Sequence, residues 1–371
     1  MTLYYILSIL ALTMSALCGF IFIPRILQFC KERKLYDTPD KRKIHRNAIP
    51  RLGGVAFLPS MLLAFVLAMT VHNYTTDTGI TMKLWSIYFF VGLLLIYSVG
   101  IVDDLIGLNA PIKFSVQILA SSFIPLAGLC INNFYGFCGI YEIPYYLSVP
   151  ITIFVLVFIT NSINLIDGID GLASGLAFFA LGGFFIIFMR EGLGLYGILI
   201  AGLMGVLISY FYYNVFGKEE ENKKIFMGDA GSLTLGFILG FLLVKFAMDN
   251  PNVMPFRTEG LLLPYTLLIV PVFDVIRVVL ARIRNRKPLF SADKNHIHHK
   301  LMRAGMTQHQ TLVAIMLLAL FFCIVNTILY MIPLGSTVIA ATDIILYISF
   351  HLVLDRFIDK KGKESFVNVE E

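Results

Sequence analysis

The chain has 371 residues, of which 58% are hydrophobic and only 14% are charged, and its mean hydropathy is +0.81. This composition leaves too little polar surface to cover a water-soluble globule, so that class is excluded. The net charge of +5 does not indicate nucleic acid as a partner, because in so apolar a chain the distribution of charge matters more than its sum.

Apolar segments recur along the whole chain, and each has the roughly 20 residues that a helix needs to cross a bilayer. Eleven spans are predicted, at 3–27, 53–71, 84–102, 114–131, 144–160, 174–190, 193–215, 230–248, 260–281, 311–332 and 335–354. The first of them is too long for the apolar core of a cleaved signal peptide. The predicted fold class is therefore all-α, a polytopic helical membrane protein with a single integral membrane domain over residues 1–371.

Lys and Arg residues crowd into every second connection between these spans. By the positive-inside rule those connections are cytoplasmic, which places the N-terminus outside and the C-terminus in the cytoplasm. The polar clusters fall in the same set of loops, near 31–52, 103–113, 161–173, 217–229 and 282–310. A transporter is expected to carry ionisable groups near the midplane of the bilayer, so this one-sided arrangement favours chemistry at the cytoplasmic face.

Two adjacent carboxylates, Asp103 and Asp104, close the third span. They repel each other unless they share a cation or a proton, although two solvated carboxylates at a helix end are the simpler alternative. Lys113 follows at the start of the next span, where an ammonium can hold a phosphate or act as an ordinary interfacial anchor.

The segment from Asn161 to Gly171 places two amides and two carboxylates, Asn161, Asn164, Asp167 and Asp170, among turn-forming glycines. Such an oxygen-rich turn suits Mg²⁺ and the phosphates that it carries. The order of the residues is not that of an EF-hand, and Ser174 stands where CDP-alcohol phosphotransferases have an Arg.

A third cluster, from Phe226 to Ser232, opens the eighth span. Asp229 is predicted near the N-terminus of this helix, where a phosphate bound through a metal ion is favoured. A helix cap is the alternative role for this aspartate.

The last large cytoplasmic loop contains basic residues, including Arg282, and then the histidines His296, His298 and His299. Zinc is the alternative interpretation of these histidines, but no Cys or HExxH motif accompanies them, and the nearby arginines suit a pyrophosphate better. In the preceding span, Asp274 and Arg277 lie three residues apart and can pair on one face of a helix.

The basic loop before the second span contains Lys43, His45 and Arg51, followed by Gly53 and Gly54. Its basic residues can set the topology or contact anionic lipid. The five cysteines have no metal-ligand spacing, and pairing between Cys130 and Cys138 stays open.

Taken together and in order, these segments resemble the polyprenyl-phosphate N-acetylhexosamine-1-phosphate transferases, in the WecA and TagO branch that is related to MraY. The matching motifs run through nearly the whole chain: Asp37 to Gly54, Asp103-Asp104 with Lys113, Asn161 to Gly171, Phe226 to Asp229, Pro271-x-x-Asp274, and His296 to His299. Each motif alone has little specificity, but the ordered set is highly specific.

The resemblance implies a Mg²⁺-dependent enzyme at the inner membrane of a bacterium, for which Mn²⁺ can substitute. It transfers a sugar 1-phosphate from a UDP-sugar to undecaprenyl phosphate and releases UMP, as the first membrane step of a cell-envelope glycan. A homodimer is also considered, since the spacing of Gly236 and Gly240 permits close helix packing.

The resemblance also implies roles for individual residues. Asn164 and Asp229 would hold the metal ion, and Asp103, Asp104 and Lys113 would organise or deprotonate the lipid phosphate, with the identity of any base left open. Asp167 would support catalysis. The nucleotide and the sugar would be bound by Asn161, Asp170, Phe226, His296, His298 and His299. The lipid phosphate or the pyrophosphate would be bound by Lys43, His45, Arg51 and Arg282.

The donor sugar is the least determined part. MraY-like enzymes carry a Lys where this chain has Gly107 and three consecutive histidines where it reads His-Ile-His-His, so UDP-GlcNAc is the first expectation. UDP-GalNAc, UDP-FucNAc, UDP-QuiNAc and UDP-MurNAc-pentapeptide stay open as donors. The competing classes are a transporter or flippase and a non-catalytic scaffold, neither of which needs the ordered aspartates.

Overall fold

The computed structural model describes residues 1–36, 49–76, 83–218, 220–221, 223–251, 253–288, 295–332 and 334–367. Within them the chain is overwhelmingly helical. The helices are α1 (Thr2–Arg33), α2 (Phe57–Thr75), α3 (Leu84–Ile106), α4 (Ala110–Leu126), α5 (Tyr145–Ile166), α6 (Leu172–Arg190), α7 (Gly194–Phe211), α8 (Gly228–Ala247), α9 (Leu262–Leu267), α10 (Ile269–Arg284), α11 (Ile297–Arg303), α12 (Gln308–Met331) and α13 (Ser336–Val367). A 3₁₀ turn, Gly53–Ala56, leads into α2, and a π turn, Tyr212–Phe216, extends α7.

Each of the eleven predicted spans overlaps at least one helix, but the number of membrane crossings stays a prediction. In the described part of the chain, nine helical segments are long and apolar enough to cross a membrane, while α4 is shorter. The predicted span 260–281 is divided into α9 and α10, which meet at Leu268. Pro271 explains the break, because it has no N–H to donate to the carbonyl of Leu267 one turn earlier. The polytopic helical fold is therefore confirmed.

Helix α8 forms the centre of the bundle, and every residue from Ala230 to Ala247 is buried. Small residues let its neighbours approach closely: a Cβ on Gly236 would lie 2.6 Å from Cα of Thr160, and one on Gly240 would lie 3.2 Å from the side chain of Leu156. Both glycines therefore pack against α5 of the same chain. The homodimer stays a prediction, without the support of this spacing.

The connection between α4 and α5 carries the one sheet found in the described residues, which the all-α prediction did not contain. Strands β1 (Asn133–Phe137) and β2 (Ile140–Glu142) pair antiparallel. Two glycines with positive φ, Gly136 and Gly139, permit the tight turn between them. Cys130 is buried and Cys138 is exposed, and both are free thiols.

The two ends of the chain lie at opposite ends of the bundle. Near the N-terminus, the ring of Tyr4 stacks on that of His72 at the end of α2, 5.4 Å away. The last helix runs back to the other end, where Asp355 contacts Lys300 of α11. This is the arrangement that an odd number of crossings would give, and the number of crossings and the orientation of the chain stay predictions.

Candidate active site

The glycine-rich segment before α2 lies alongside the segment that opens α8. The amide of Phe226 donates to the carbonyl of Pro50 over 2.8 Å, and the amides of Gly53 and Gly54 donate to the carbonyls of Phe226 and Met227 over 2.9 and 2.8 Å. Two motifs that are far apart in the sequence are thus joined by three backbone hydrogen bonds. These bonds fix the backbone that leads into α8.

Asp104 is bound to the beginning of α8. Its two carboxylate oxygens accept hydrogen bonds from the backbone amides of Asp229, over 2.8 Å, and Ala230, over 2.9 Å. Arg51 donates through Nε to the backbone carbonyl of Asp104 over 2.9 Å. A carboxylate at a helix N-terminus satisfies amides that have no partner within the helix and complements the helix dipole. Asp104 therefore joins α3 to α8 and holds Asp229 in place.

The neighbouring aspartate faces a different group. Lys113 Nζ lies 3.1 Å from Oδ2 of Asp103 and 2.5 Å from Oδ2 of Asp229. The other oxygen of Asp103 accepts a 2.6 Å hydrogen bond from the amide of Leu108, just after α3. One ammonium thus bridges carboxylates from α3 and α8, and all three side chains remain partly exposed. These three residues are hereafter called the charged cluster.

Asn164 completes this cluster from α5. Its amide nitrogen donates to Oδ1 of Asp229 over 2.9 Å and to Oγ of Ser232 over 2.8 Å. Asn161, one turn earlier, instead donates to Oε1 of Gln117 and to the carbonyl of Val157. Asn164 therefore belongs to the charged cluster, whereas Asn161 ties α5 to α4.

The donor set of this cluster fits a magnesium ion that is held mainly by substrate. Asn164 and Asp229, the two predicted ligands, are adjacent and offer oxygen atoms, which hard cations prefer. In the described part of the chain, no group of three or more His, Cys, Asp or Glu side chains could hold a metal ion by itself. Mg²⁺ commonly takes one or two protein ligands and completes its shell with phosphates and water, so the pair is sufficient.

The loop after α5 lies beside the charged cluster. Asp170 pairs with Lys224 over 2.7 Å. The amide of Gly171 donates to Oδ1 of Asn214 over 2.7 Å, and Nδ2 of Asn214 donates to the carbonyl of Ile225 over 2.9 Å. Asn214 and Lys224 were not singled out from the sequence, because neither belongs to a recognisable motif. They fix the loop against the segment that contains Phe226.

Asp167, which directly follows α5, lies close to three other carboxylates. Burial, reinforced by the negative charges of Asp229, Asp170 and Asp104, raises its pKa from 3.8 to about 7. The group can therefore exist as a neutral acid close to physiological pH. Perturbation of this kind is frequent at functional sites.

This shift predicts a pH dependence of stability. Between about pH 4 and pH 7 the unfolded chain loses the proton of Asp167 while the folded chain keeps it, so the free energy of unfolding falls as the pH rises. The variant Asp167→Asn has no such group, so its melting temperature, relative to the wild type, should increase from pH 5 to pH 8. Thermal unfolding followed by circular dichroism in EDTA measures this. A difference that stays constant with pH would show that Asp167 titrates normally.

The histidine loop is attached to α10 by Asp274. Its fully buried carboxylate lies 2.8 Å from Nδ1 of His296, accepts a 2.9 Å bond from the amide of Ile297 and pairs with Arg277 over 2.8 Å. Arg277 also donates to the carbonyl of Asn295. The Asp274 and Arg277 pair therefore positions the loop, a structural use that the sequence had left open.

His298 joins this loop to the one after α5. A Cβ placed on Gly168 would lie 2.2 Å from Nε2 of His298, so the ring packs directly against that glycine. Burial, and then the nearby His299 and His296, lowers the pKa of His298 to about 3, which keeps the ring neutral. Its two nitrogens are buried and have no hydrogen-bond partner in the described structure. His299 follows, with its ring 4.2 Å from that of His298.

The remaining predicted residues are placed less informatively. Lys43 and His45 lie outside the described residues. Arg282 is buried in the last turn of α10. Their predicted contacts with phosphate stay predictions.

Comparison with known proteins agrees with this geometry. The profile of glycosyl transferase family 4 matches residues 86–247. The chain is 31% identical over 328 residues to the probable undecaprenyl-phosphate N-acetylglucosaminyl 1-phosphate transferase of Bacillus subtilis. The aligned residues cover 85% of this chain and 83% of that protein.

Two further relatives have similar names. Identity is 29% to the undecaprenyl-phosphate alpha-N-acetylglucosaminyl 1-phosphate transferase of Yersinia pestis, over 85% of this chain and 84% of that protein. Identity is also 29% to the decaprenyl-phosphate N-acetylglucosaminephosphotransferase of Mycobacterium leprae, over 75% of this chain and 73% of that protein. The predicted family is confirmed, and this chain belongs to the polyprenyl-phosphate N-acetylhexosamine-1-phosphate transferases, which are membrane-bound glycosyl-phosphate transferases.

Proposed function

We propose that this protein transfers N-acetylglucosamine 1-phosphate from UDP-GlcNAc to undecaprenyl phosphate and releases UMP. The observation that supports this best is the single ammonium of Lys113 between the carboxylates of Asp103 and Asp229, within reach of Asn164. Transfer between two phosphorylated substrates requires positive charge at the point where they meet. Lys113 carries one such charge, and the carboxylates beside it can hold a metal cation that would add to it.

In the proposed reaction, an oxygen of the lipid phosphate forms a bond with the β-phosphorus of the UDP-sugar. The bond between that phosphorus and the bridging oxygen breaks, and the oxygen leaves with UMP. Lys113 can turn from Asp103 towards the incoming lipid phosphate and reduce the repulsion between the two anions. Asp229 and Asn164 would hold Mg²⁺, which would supply positive charge on the pyrophosphate of the donor.

The two aspartates at the end of α3 have separate roles in this proposal. Both carboxylate oxygens of Asp104 accept hydrogen bonds from backbone amides of α8, so Asp104 acts by positioning Asp229. Asp103 faces Lys113, so it controls the orientation and charge of that ammonium. Asp103 is thus the better candidate of the pair for accepting a proton from the lipid phosphate.

The loops around Asp167, Asp170 and His298 are assigned to the sugar nucleotide. They are joined to each other through Gly168 and border the charged cluster, so uridine and sugar can lie beside the reacting phosphates. The unpartnered nitrogens of His298 can exchange hydrogen bonds with a bound donor. The rings of His296 and His299 lie 5.9 and 4.2 Å from that of His298. Asn161, Phe226 and Arg51 are assigned to the substrates from the sequence resemblance alone.

The choice of UDP-GlcNAc over UDP-MurNAc-pentapeptide rests on the names of the relatives and on the glycine at position 107, where MraY-like enzymes carry a lysine. Gly107 ends α3 with a φ of +71°, a conformation that a lysine side chain would strain. The lysine found there in MraY-like enzymes is thus disfavoured by the backbone. We place the site at the cytoplasmic face of a bacterial inner membrane, on the side of the positively charged loops.

The donor is tested with purified protein, undecaprenyl phosphate and a panel of UDP-sugars, with MgCl₂ or EDTA. We expect UMP release and lipid product with UDP-GlcNAc, loss of both in EDTA, and recovery on adding Mg²⁺ or Mn²⁺. Product from UDP-GalNAc or another UDP-sugar alone would contradict the assignment of the donor. Full activity in EDTA would contradict the assignment of the metal.

A further inference from the structure

The last helix carries a stripe of polar side chains that the proposed mechanism does not use. Asp343, Tyr347, His351 and Asp355 follow each other at intervals of four residues, so they lie close to one face of α13. The first three are buried, with relative exposures of 0%, 4% and 5%. The other faces carry exposed apolar residues such as Ile345 and Leu352, which suit contact with lipid. Hereafter these four residues are called the α13 stripe.

The half of the α13 stripe that is farther from the histidine loop consists of Asp343 and Tyr347. It contacts the helices around the break between α9 and α10. Oδ2 of Asp343 accepts 3.1 Å hydrogen bonds from the hydroxyl of Tyr265 and from Nδ2 of Asn326. The ring of Tyr347 packs edge-on against Phe273 of α10, with centroids 5.4 Å apart. This half therefore holds α13 against α9, α10 and α12.

The half of the stripe that is nearer the histidine loop consists of His351 and Asp355. It contacts Lys300, which follows the histidines. Nζ of Lys300 lies 2.6 Å from Oδ1 of Asp355 and 3.5 Å from Nδ1 of His351. Lys300 is only 8% exposed, although lysine is rarely buried unless it is paired. It follows His299 directly in α11. The ion pair therefore connects the histidine loop to the C-terminal half of α13.

Helix α11 depends on such contacts for its position. It has seven residues, which is too short for a helix to be stable alone. Asp274 of α10 holds its beginning through His296 and Ile297, and Lys300 holds the next turn to α13. His298 lies between these two attachments, with its ring on Gly168. Displacement of either attachment would move His298 relative to the loop after α5.

We propose that Lys300 and Asp355 form a positioning pair that sets how tightly the sugar nucleotide is held, by fixing His298 and His299 over the Gly168 loop. This inference rests on the proposed function, because it assigns the histidines to the UDP-sugar. Neither Lys300 nor Asp355 contacts Asp103 or Lys113 of the charged cluster, which are assigned to the lipid phosphate. Its loss should therefore affect the donor and leave the acceptor unaffected.

The test compares Asp355→Asn and Lys300→Met with wild type, using separate KM measurements for UDP-GlcNAc and undecaprenyl phosphate. We expect the KM for UDP-GlcNAc to rise about tenfold, with the KM for the lipid and kcat changed by less than about twofold. Lys300→Arg, which keeps the ion pair, and the exchanged pair Lys300→Asp with Asp355→Lys should recover most of the loss. Asp359→Asn is the matched control, since it removes the same charge from an exposed position one turn further along α13.

Hydrogen exchange of residues 295–305 provides a readout that does not require activity. We expect faster exchange in Asp355→Asn than in Asp359→Asn if the pair holds α11. Unchanged exchange, an unchanged KM for UDP-GlcNAc, or equal increases in both KM values would each overturn the positioning role. Wild-type protein that transfers nothing from any donor would instead contradict the proposed function, and exchange alone would then decide whether the pair anchors the loop.

Discussion

Replacement of Asp229 by Asn is expected to lower the rate of transfer by about 10³-fold while the protein remains folded. The carboxylate of Asp229, itself a predicted metal ligand, contacts both Lys113 and Asn164, so it connects the ammonium with the other predicted ligand. An amide of the same shape keeps the hydrogen bond to Asn164 but removes the negative charge. The initial rate of UMP release at saturating Mg²⁺ measures the effect.

Asp249→Asn is the matched control for this variant. Asp249 lies just beyond the opposite end of α8, where its carboxylate accepts a 3.0 Å hydrogen bond from Asn133. It undergoes the same change of charge at a distance from the cluster, so transfer should stay within about twofold of wild type. Asp229→Asn protein that transfers at the wild-type rate would contradict the metal and charge assignments together.

The second large effect is expected from Gly54→Ala. A Cβ at this position would lie 2.1 Å from both Cα and N of Gly231, and 2.8 Å from the carbonyl oxygen of Met227. These are backbone atoms at the start of α8, so they cannot move aside without displacing Asp229. We expect a loss of about 3 kcal/mol in stability and a loss of transfer.

Gly182→Ala separates this clash from a general effect of replacing glycine. The nearest atom to a Cβ on Gly182 is the terminal methyl carbon of Met204, 4.0 Å away, and the residue lies inside α6. Alanine favours a helix over glycine by up to about 1 kcal/mol, so this variant should be as stable as wild type or more stable. Thermal unfolding in detergent compares the two, and equal melting temperatures for both variants would rule out the proposed close contact.

Features that depend on local patterns could be predicted from the sequence. Each of the eleven spans predicted from apolar length overlaps a helix, and the order of the motifs indicated the family before any contact was known. The convergence of Asp103, Lys113, Asn164 and Asp229 follows the same motifs. These features could be predicted because each depends on a pattern of residues that is repeated or contiguous along the chain.

Features that depend on contacts between distant segments could not be predicted. Asp104 and the amide of Asp229 are 125 residues apart, and nothing in the Asp-Asp motif indicates that one carboxylate binds a helix N-terminus while the other faces a lysine. Asn214 and the residues of the α13 stripe lie within apolar helical segments, and none of them belongs to a recognisable motif. Their contacts could therefore not be predicted from the sequence. The division at Leu268 was missed because hydropathy does not register the hydrogen bond that Pro271 removes.

The most direct test of the central claim follows the two phosphorus atoms of the donor. UDP-GlcNAc labelled with ³²P in either the α- or the β-phosphate is incubated with the protein and undecaprenyl phosphate, and the label is measured in the lipid and in the released nucleotide. We predict that the β-label enters the lipid and the α-label appears in UMP. A β-label that stays with the nucleotide as UDP would mean that the sugar alone is transferred, and would contradict the proposed reaction.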